Sequence, residues 1–159
     1  MSYFYYERID DNDTNDASTE SAEINVRDIQ DFTTAISTIF SNMASRNNDG
    51  YEVSTATYTN QHGSGETDYI TTVKLIQLPN LDRRTPDGEL DTTVKTLASL
   101  KVNYIKYPKH EFTDDMSIDC MIEYDGFKFH MSDDIHDAGT FWHESCFFND
   151  LCVDKFCND

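Results

Sequence analysis

The residues best equipped for chemistry lie near the C-terminal end of the chain. His143, Cys146, Cys152 and Cys157 form the pattern H-x2-C-x5-C-x4-C, four soft ligands within fifteen positions. Zinc takes four such ligands tetrahedrally, and a site of this kind would staple a terminal element to itself. Zinc sites usually draw their ligands from two close pairs, a spacing this run does not follow. On one continuous helix, Cys152 and Cys157 would also point to different faces. Buried cysteines acting as small hydrophobes are therefore the favoured reading, and no cofactor is expected.

Just upstream, Asp133, Asp134, His136 and Asp137 form a tight knot of carboxylates around an imidazole. Mixed carboxylate and imidazole ligands suit a catalytic metal. There is no H-E-x-x-H, however, because His143-Glu144 is not followed by a second histidine at the required place. Aspartates that open a helix, close to its positive dipole end, account for the same residues. The acidic stretch Asp10 to Asp16 matches a calcium loop only in composition. With Asp11, Asp13 and Asn15 as the first three ligands, the sixth position is Asp16 rather than glycine and the twelfth is Ala22 rather than glutamate. No phosphate-binding loop, dinucleotide glycine fingerprint or nucleophile elbow appears. Arg83-Arg84 is the only basic doublet and reads as a solvated loop tip. The chain thus favours a binding protein over an enzyme.

The elements that would carry these residues follow from periodicity. Tyr3, Phe4, Tyr5 and Tyr6 make Ser2 to Ile9 a short strand, and the polar stretch 10–23 a mobile acidic loop. Asn25 is an N-cap, after which Ile29, Phe32, Ile36, Ile39, Phe40 and Met43 fall at helical spacing. Asn47-Asn48-Asp49-Gly50 ends that helix. Tyr51 to Asn60 and Tyr69 to Leu78 alternate as a hairpin rich in threonine and tyrosine. Leu90, Val94, Leu97 and Ala98 predict a short second helix capped near Asp91, and Val102 to Tyr107 a strand. Met116 to Glu123 and Phe127 to Met131 make a second hairpin about Tyr124-Asp125-Gly126. A last helix starts at Asp133 and Asp134, with Phe141, Phe148, Leu151 and Cys152 on one face. The expectation is a single α+β domain over 1–159, with an antiparallel sheet of five to six strands and two to three helices. A ferredoxin-like core extended by one hairpin and one helix would satisfy this order.

Charge narrows the partners. The 159 residues carry 30 acids against 12 bases, a net charge of −18, against a usual magnitude of about 2 to 8 for a small domain. Residues 1–31 account for −7, residues 32–107 for −1 and residues 108–159 for −10. Such a chain is a poor direct ligand for nucleic acid or an anionic membrane, since both reward Lys and Arg. A basic protein surface is its complement, met by fast and salt-sensitive association. No segment approaches the roughly 20 apolar residues of a membrane span. No secretory signal is read at the N-terminus, and four cysteines do not form a disulfide framework, so a cytoplasmic location is expected.

In size, charge and lack of a catalytic signature, the chain resembles the acidic inhibitors that phages and mobile elements deploy against bacterial defence nucleases. These include anti-CRISPR and anti-restriction proteins, some of which imitate DNA. The resemblance implies a protein that occupies a basic groove of a nucleic-acid enzyme. Asp114, Asp115, Asp133, Asp134 and Asp137 are the expected contact acids, with Tyr124, Phe141 and Trp142 as aromatic anchors. Two alternatives are a metal-binding module or metal-dependent enzyme built on the C-terminal His, Cys and Asp residues, and a virion structural or assembly protein.

Overall fold

Helix α1, Val26–Arg46, forms where the apolar residues recur at three and four positions, and it buries Ile29, Phe32, Ile36, Ile39, Phe40 and Met43 on one stripe. Asn25 caps it, its side-chain oxygen accepting from the Arg27 N–H at 2.8 Å. The computed structural model describes residues 23–46, 50–79, 86–89 and 92–157. The strand read in Ser2 to Ile9 and all of the loop read in residues 10–23 except Glu23 lie outside them, as do Asn47 to Asp49, the Arg83-Arg84 doublet, Leu90 and Asp91.

Five strands form one antiparallel sheet: β2 (Tyr51–Gln61), β3 (Thr67–Gln77), β4 (Lys95–Lys106), β6 (Met116–Tyr124) and β7 (Phe127–Ile135), hydrogen-bonded in that order. A two-residue β1 (Ile24–Asn25) pairs separately with β5 (Phe112–Thr113). Helix α2, Ala138–Phe156, closes the chain. The α+β class, the five-stranded antiparallel sheet and the two helices are those expected from sequence.

Of the region read as a second helix, Lys95 to Ala98 are instead the first part of β4, and the described residues 92–94 lead into it without helix. Leu97 and Ala98 are both buried because β4 carries an extra residue here: Leu75 pairs with Ala98, but Ile76 pairs with Thr96. A bulge of this kind turns two consecutive side chains toward the core, and it imitates the i, i+3, i+4 spacing of a helix. With that helix gone, the sheet is a simple meander and the split βαβ arrangement does not form. Strand β7 runs on to Ile135, so Asp133 and Asp134 lie in a strand, and α2 begins after Asp137.

Period-two alternation decides the faces. Across the sheet, Val53, Leu75, Ala98, Ile122 and Phe129 form one inward row, and Thr55, Val73, Leu100, Cys120 and Met131 the next. Both helices pack on this side. Phe32 of α1 meets Phe141 and Phe148 of α2 edge-on, with ring centroids 6.1 and 6.5 Å apart. Phe148 in turn stacks on Phe129 at 6.0 Å. The inward rows become less apolar toward β2, where they end in Val53, Thr55, Thr57 and Thr59. On the opposite face of the sheet no described residue is buried. No helix among the described residues is long and apolar enough to cross a membrane.

Candidate acidic interface

Strand pairing gathers carboxylates that are far apart in the chain. On the open face, Asp68 of β3 flanks Ile105 of β4, Asn103 pairs with Ser117 of β6, and Ser117 pairs with Asp134 of β7. The chain enters β6 through Asp115. Together with Tyr104 and Met116, these residues line a shallow depression of about 270 Å³, and among the described residues neither lysine nor arginine lines it. Exposed Asp114 stands beside it.

Two histidines border the cluster. His62 Nε2 lies 2.8 Å from Asp68 Oδ2, and His136 Nδ1 lies 3.4 Å from Asp115 Oδ1. Each imidazole adds positive charge to the cluster only when protonated. Tyr104, on the inward side of β4, stacks on Tyr69 with ring centroids 5.2 Å apart. Burial, with the Tyr69 hydroxyl beside it, pushes its phenol up to about 12. It therefore stays neutral and adds no charge of its own.

The acids expected from sequence divide by position. Asp114, Asp115 and Asp134 meet at this end of the sheet. Asp137 is committed to helix α2 as its N-cap, accepting from the Thr140 N–H at 2.7 Å and the Thr140 hydroxyl at 3.0 Å. Asp133 sits one residue from Asp134 and so points to the opposite face, in the inward row of Val102 and Ile118. There it hydrogen-bonds Glu144 of α2. Burial, followed by that bond and the charge on Asp133, holds the Glu144 carboxyl above its usual range.

The expected aromatic anchors do not join this cluster. Phe141 is completely buried against Phe32, because its position on α2 faces the core, and it has no surface to offer a partner. Tyr124 lies at the other end of β6, packed edge-on against Phe156 at 5.4 Å and Tyr51 at 6.3 Å. Eight residue steps along the strand separate it from Met116, roughly 27 Å at about 3.4 Å per step. Trp142 is half-buried with its ring 4.8 Å from that of His143, on α2.

The C-terminal ligand candidates do not converge either. Among the described residues, no three His, Cys, Asp or Glu side chains are grouped as a metal site would require. His143 is exposed, Cys152 is fully buried, and Cys146 and Cys157 are partly buried. Burial raises the Cys152 thiol, as does the neighbouring Cys157, and burial likewise raises Cys120, beside Cys152 and the carboxylates around it. These thiols remain protonated and packed, poor nucleophiles and poor ligands.

Asp68 was missed by the sequence reading, since it belongs to the nearly neutral middle of the chain. No linear signal marks it; only the β3–β4–β6–β7 register brings it level with Asp115 and Asp134. No family model matches the chain, and neither the curated proteins nor the solved structures include one similar to it.

Proposed function

We propose that this chain is an acidic, non-enzymatic binding protein that engages a basic surface of a nucleic-acid enzyme. In this reading it acts as an inhibitor of host defence, of the anti-CRISPR or anti-restriction type used by phages and mobile elements. The observation that supports it is the depression bordered by Asp68, Asp115 and Asp134, with Asp114 beside it and no lysine or arginine among its described lining residues. Three carboxylates on a strand scaffold lose little freedom when they meet fixed arginines or lysines, which favours charge-assisted hydrogen bonds. The net charge of −18 adds long-range steering toward such a surface.

The test is capture of bacterial nucleic-acid enzymes by immobilised full-length chain. A basic nuclease is expected to bind at low salt, to be released as salt rises, and to lose activity on its DNA or RNA while bound. The paired substitutions Asp115→Asn and Asp134→Asn preserve shape, and are expected to weaken binding by at least about tenfold, the scale of losing a few charge-assisted contacts. Binding indifferent to salt and to both substitutions would overturn the reading.

A further inference from the structure

We propose that the outer edge of β2 pairs with the same strand of a second copy of this chain, antiparallel across a two-fold axis at Ala56. The phase of the β2–β3 ladder shows which backbone groups are available. The His62 N–H donates to the Glu66 carbonyl at 2.8 Å, and the register continues without interruption from Gln61↔Thr67 to Tyr51↔Gln77. Bonded and non-bonded pairs alternate in an antiparallel ladder. Even-numbered residues of β2 therefore bond to β3, while Tyr51, Val53, Thr55, Thr57, Thr59 and Gln61 direct their N–H and C=O groups outward. No described strand pairs with that side.

An edge of 11 residues is long, and exposed edges are ordinarily protected by lysine, proline, a bulge or a covering element. β2 itself has no lysine, proline or bulge, no described element covers its outer side, and its one charged residue is Glu52. On a chain of net charge −18, it is a place where two copies can approach with almost no like charge between them.

The sequence is also self-complementary about Ala56. In the register that pairs Tyr51 with Gln61, every outward N–H and C=O of both copies finds a partner. Thr55 then faces Thr57 and Val53 faces Thr59, side-chain pairs that suit neighbouring strands. On the open face, Glu52 falls opposite Asn60 rather than another acid, and Tyr58, 63% exposed, lies beside Ser54 of the second copy. Ala56 meets itself at a non-bonded position, where Cα atoms approach to about 4.5 Å and a small side chain fits best. The two five-stranded sheets become one continuous sheet, with both open faces on the same side.

Analytical ultracentrifugation of the full chain, with three variants, tests this. The unaltered protein is expected to be a dimer at micromolar concentration. Thr57→Pro removes an outward N–H and leaves the β2–β3 backbone ladder intact, losing only the 3.3 Å hydroxyl contact with Thr71, and is expected to give a folded monomer, checked by circular dichroism. Thr57→Lys supplies a second disruption should the proline variant not fold, and is expected to raise the dissociation constant by at least about tenfold. Ala56→Cys is expected to form an intermolecular disulfide under mild oxidation that the unaltered chain does not form, since Cα atoms about 4.5 Å apart lie within disulfide reach. A monomeric unaltered chain overturns the proposal. So does a dimer that survives both Thr57 substitutions, or one that Ala56→Cys does not cross-link. A monomer whose outward β2 amides are protected from hydrogen exchange would assign this edge to another part of the same chain, which also overturns it.

Discussion

The two edges of the sheet are built on different principles. β7 carries Lys128, His130, Asp133 and Asp134, and its inward side chains lie beneath α2, where Phe127 and Phe129 meet Phe156 and Phe148. β2 carries one charge, and its inward residues beyond Val53 are Thr55, Thr57, Thr59 and Gln61, all exposed. Two copies approaching through β7 would bring like charges together and meet a helix; through β2 they meet hydroxyls and amides that no described strand pairs with. Two of the three carboxylates of the acidic depression, Asp115 and Asp134, lie on the β6–β7 side, and the third, Asp68, reaches it from β3. Charge and helical packing are concentrated toward one edge, and the other is left chemically plain and open to backbone pairing.

The sharpest way to break this contrast is to empty the packed side. Phe148→Ala removes a fully buried ring that bridges both helices and β7, and is expected to cost about 3–5 kcal/mol in denaturant unfolding. The matching truncation on the plain side, Val53→Ala, removes a half-buried side chain near the uncovered edge, and is expected to cost about 1 kcal/mol. Equal losses at the two positions would contradict the asymmetry.

A smaller effect sharpens the description of the charged side. Glu144 has its folded-state carboxyl raised above the unfolded value by burial and by Asp133. The folded chain therefore binds a proton here more tightly than the unfolded chain, so stability declines as pH rises from the unfolded value of 4.5 through the raised folded one. Glu144→Gln is expected to stabilise the protein at pH 7 by less than about 1 kcal/mol, because the group is partly solvated. That gain should vanish below about pH 4, where the native carboxyl is protonated in both states. Urea melts at the two pH values give the comparison, and an equal effect at both would remove the carboxyl pair as the cause.

Much of the architecture could be read from local pattern. The α1 stripe from Ile29 to Met43 and the alternation of β2 and β3 are each set by side chains that repeat with the period of their element. The turn at Asp125-Gly126 is equally local: both residues have positive φ, 51° and 78°, which that dipeptide tolerates well. The misreading at Leu97-Ala98 came from a bulge, which depends on where the neighbouring strand stands rather than on β4 itself. Similarly, Phe141 has the composition of an anchor, and only the position of α1 shows that its ring is consumed by the core.

By itself, the sequence determined the α+β class, the heavy negative charge and the absence of any recognisable catalytic pattern, because composition and short-range periodicity are properties of the chain alone. Tertiary structure decided which carboxylates act together. Asp133 and Asp134 are neighbours in the chain yet face opposite sides of the sheet, whereas Asp68 and Asp134 are separated by 66 positions and border one depression. The physical reason is strand register: it turns adjacent residues apart and brings distant ones level, and no linear spacing encodes it.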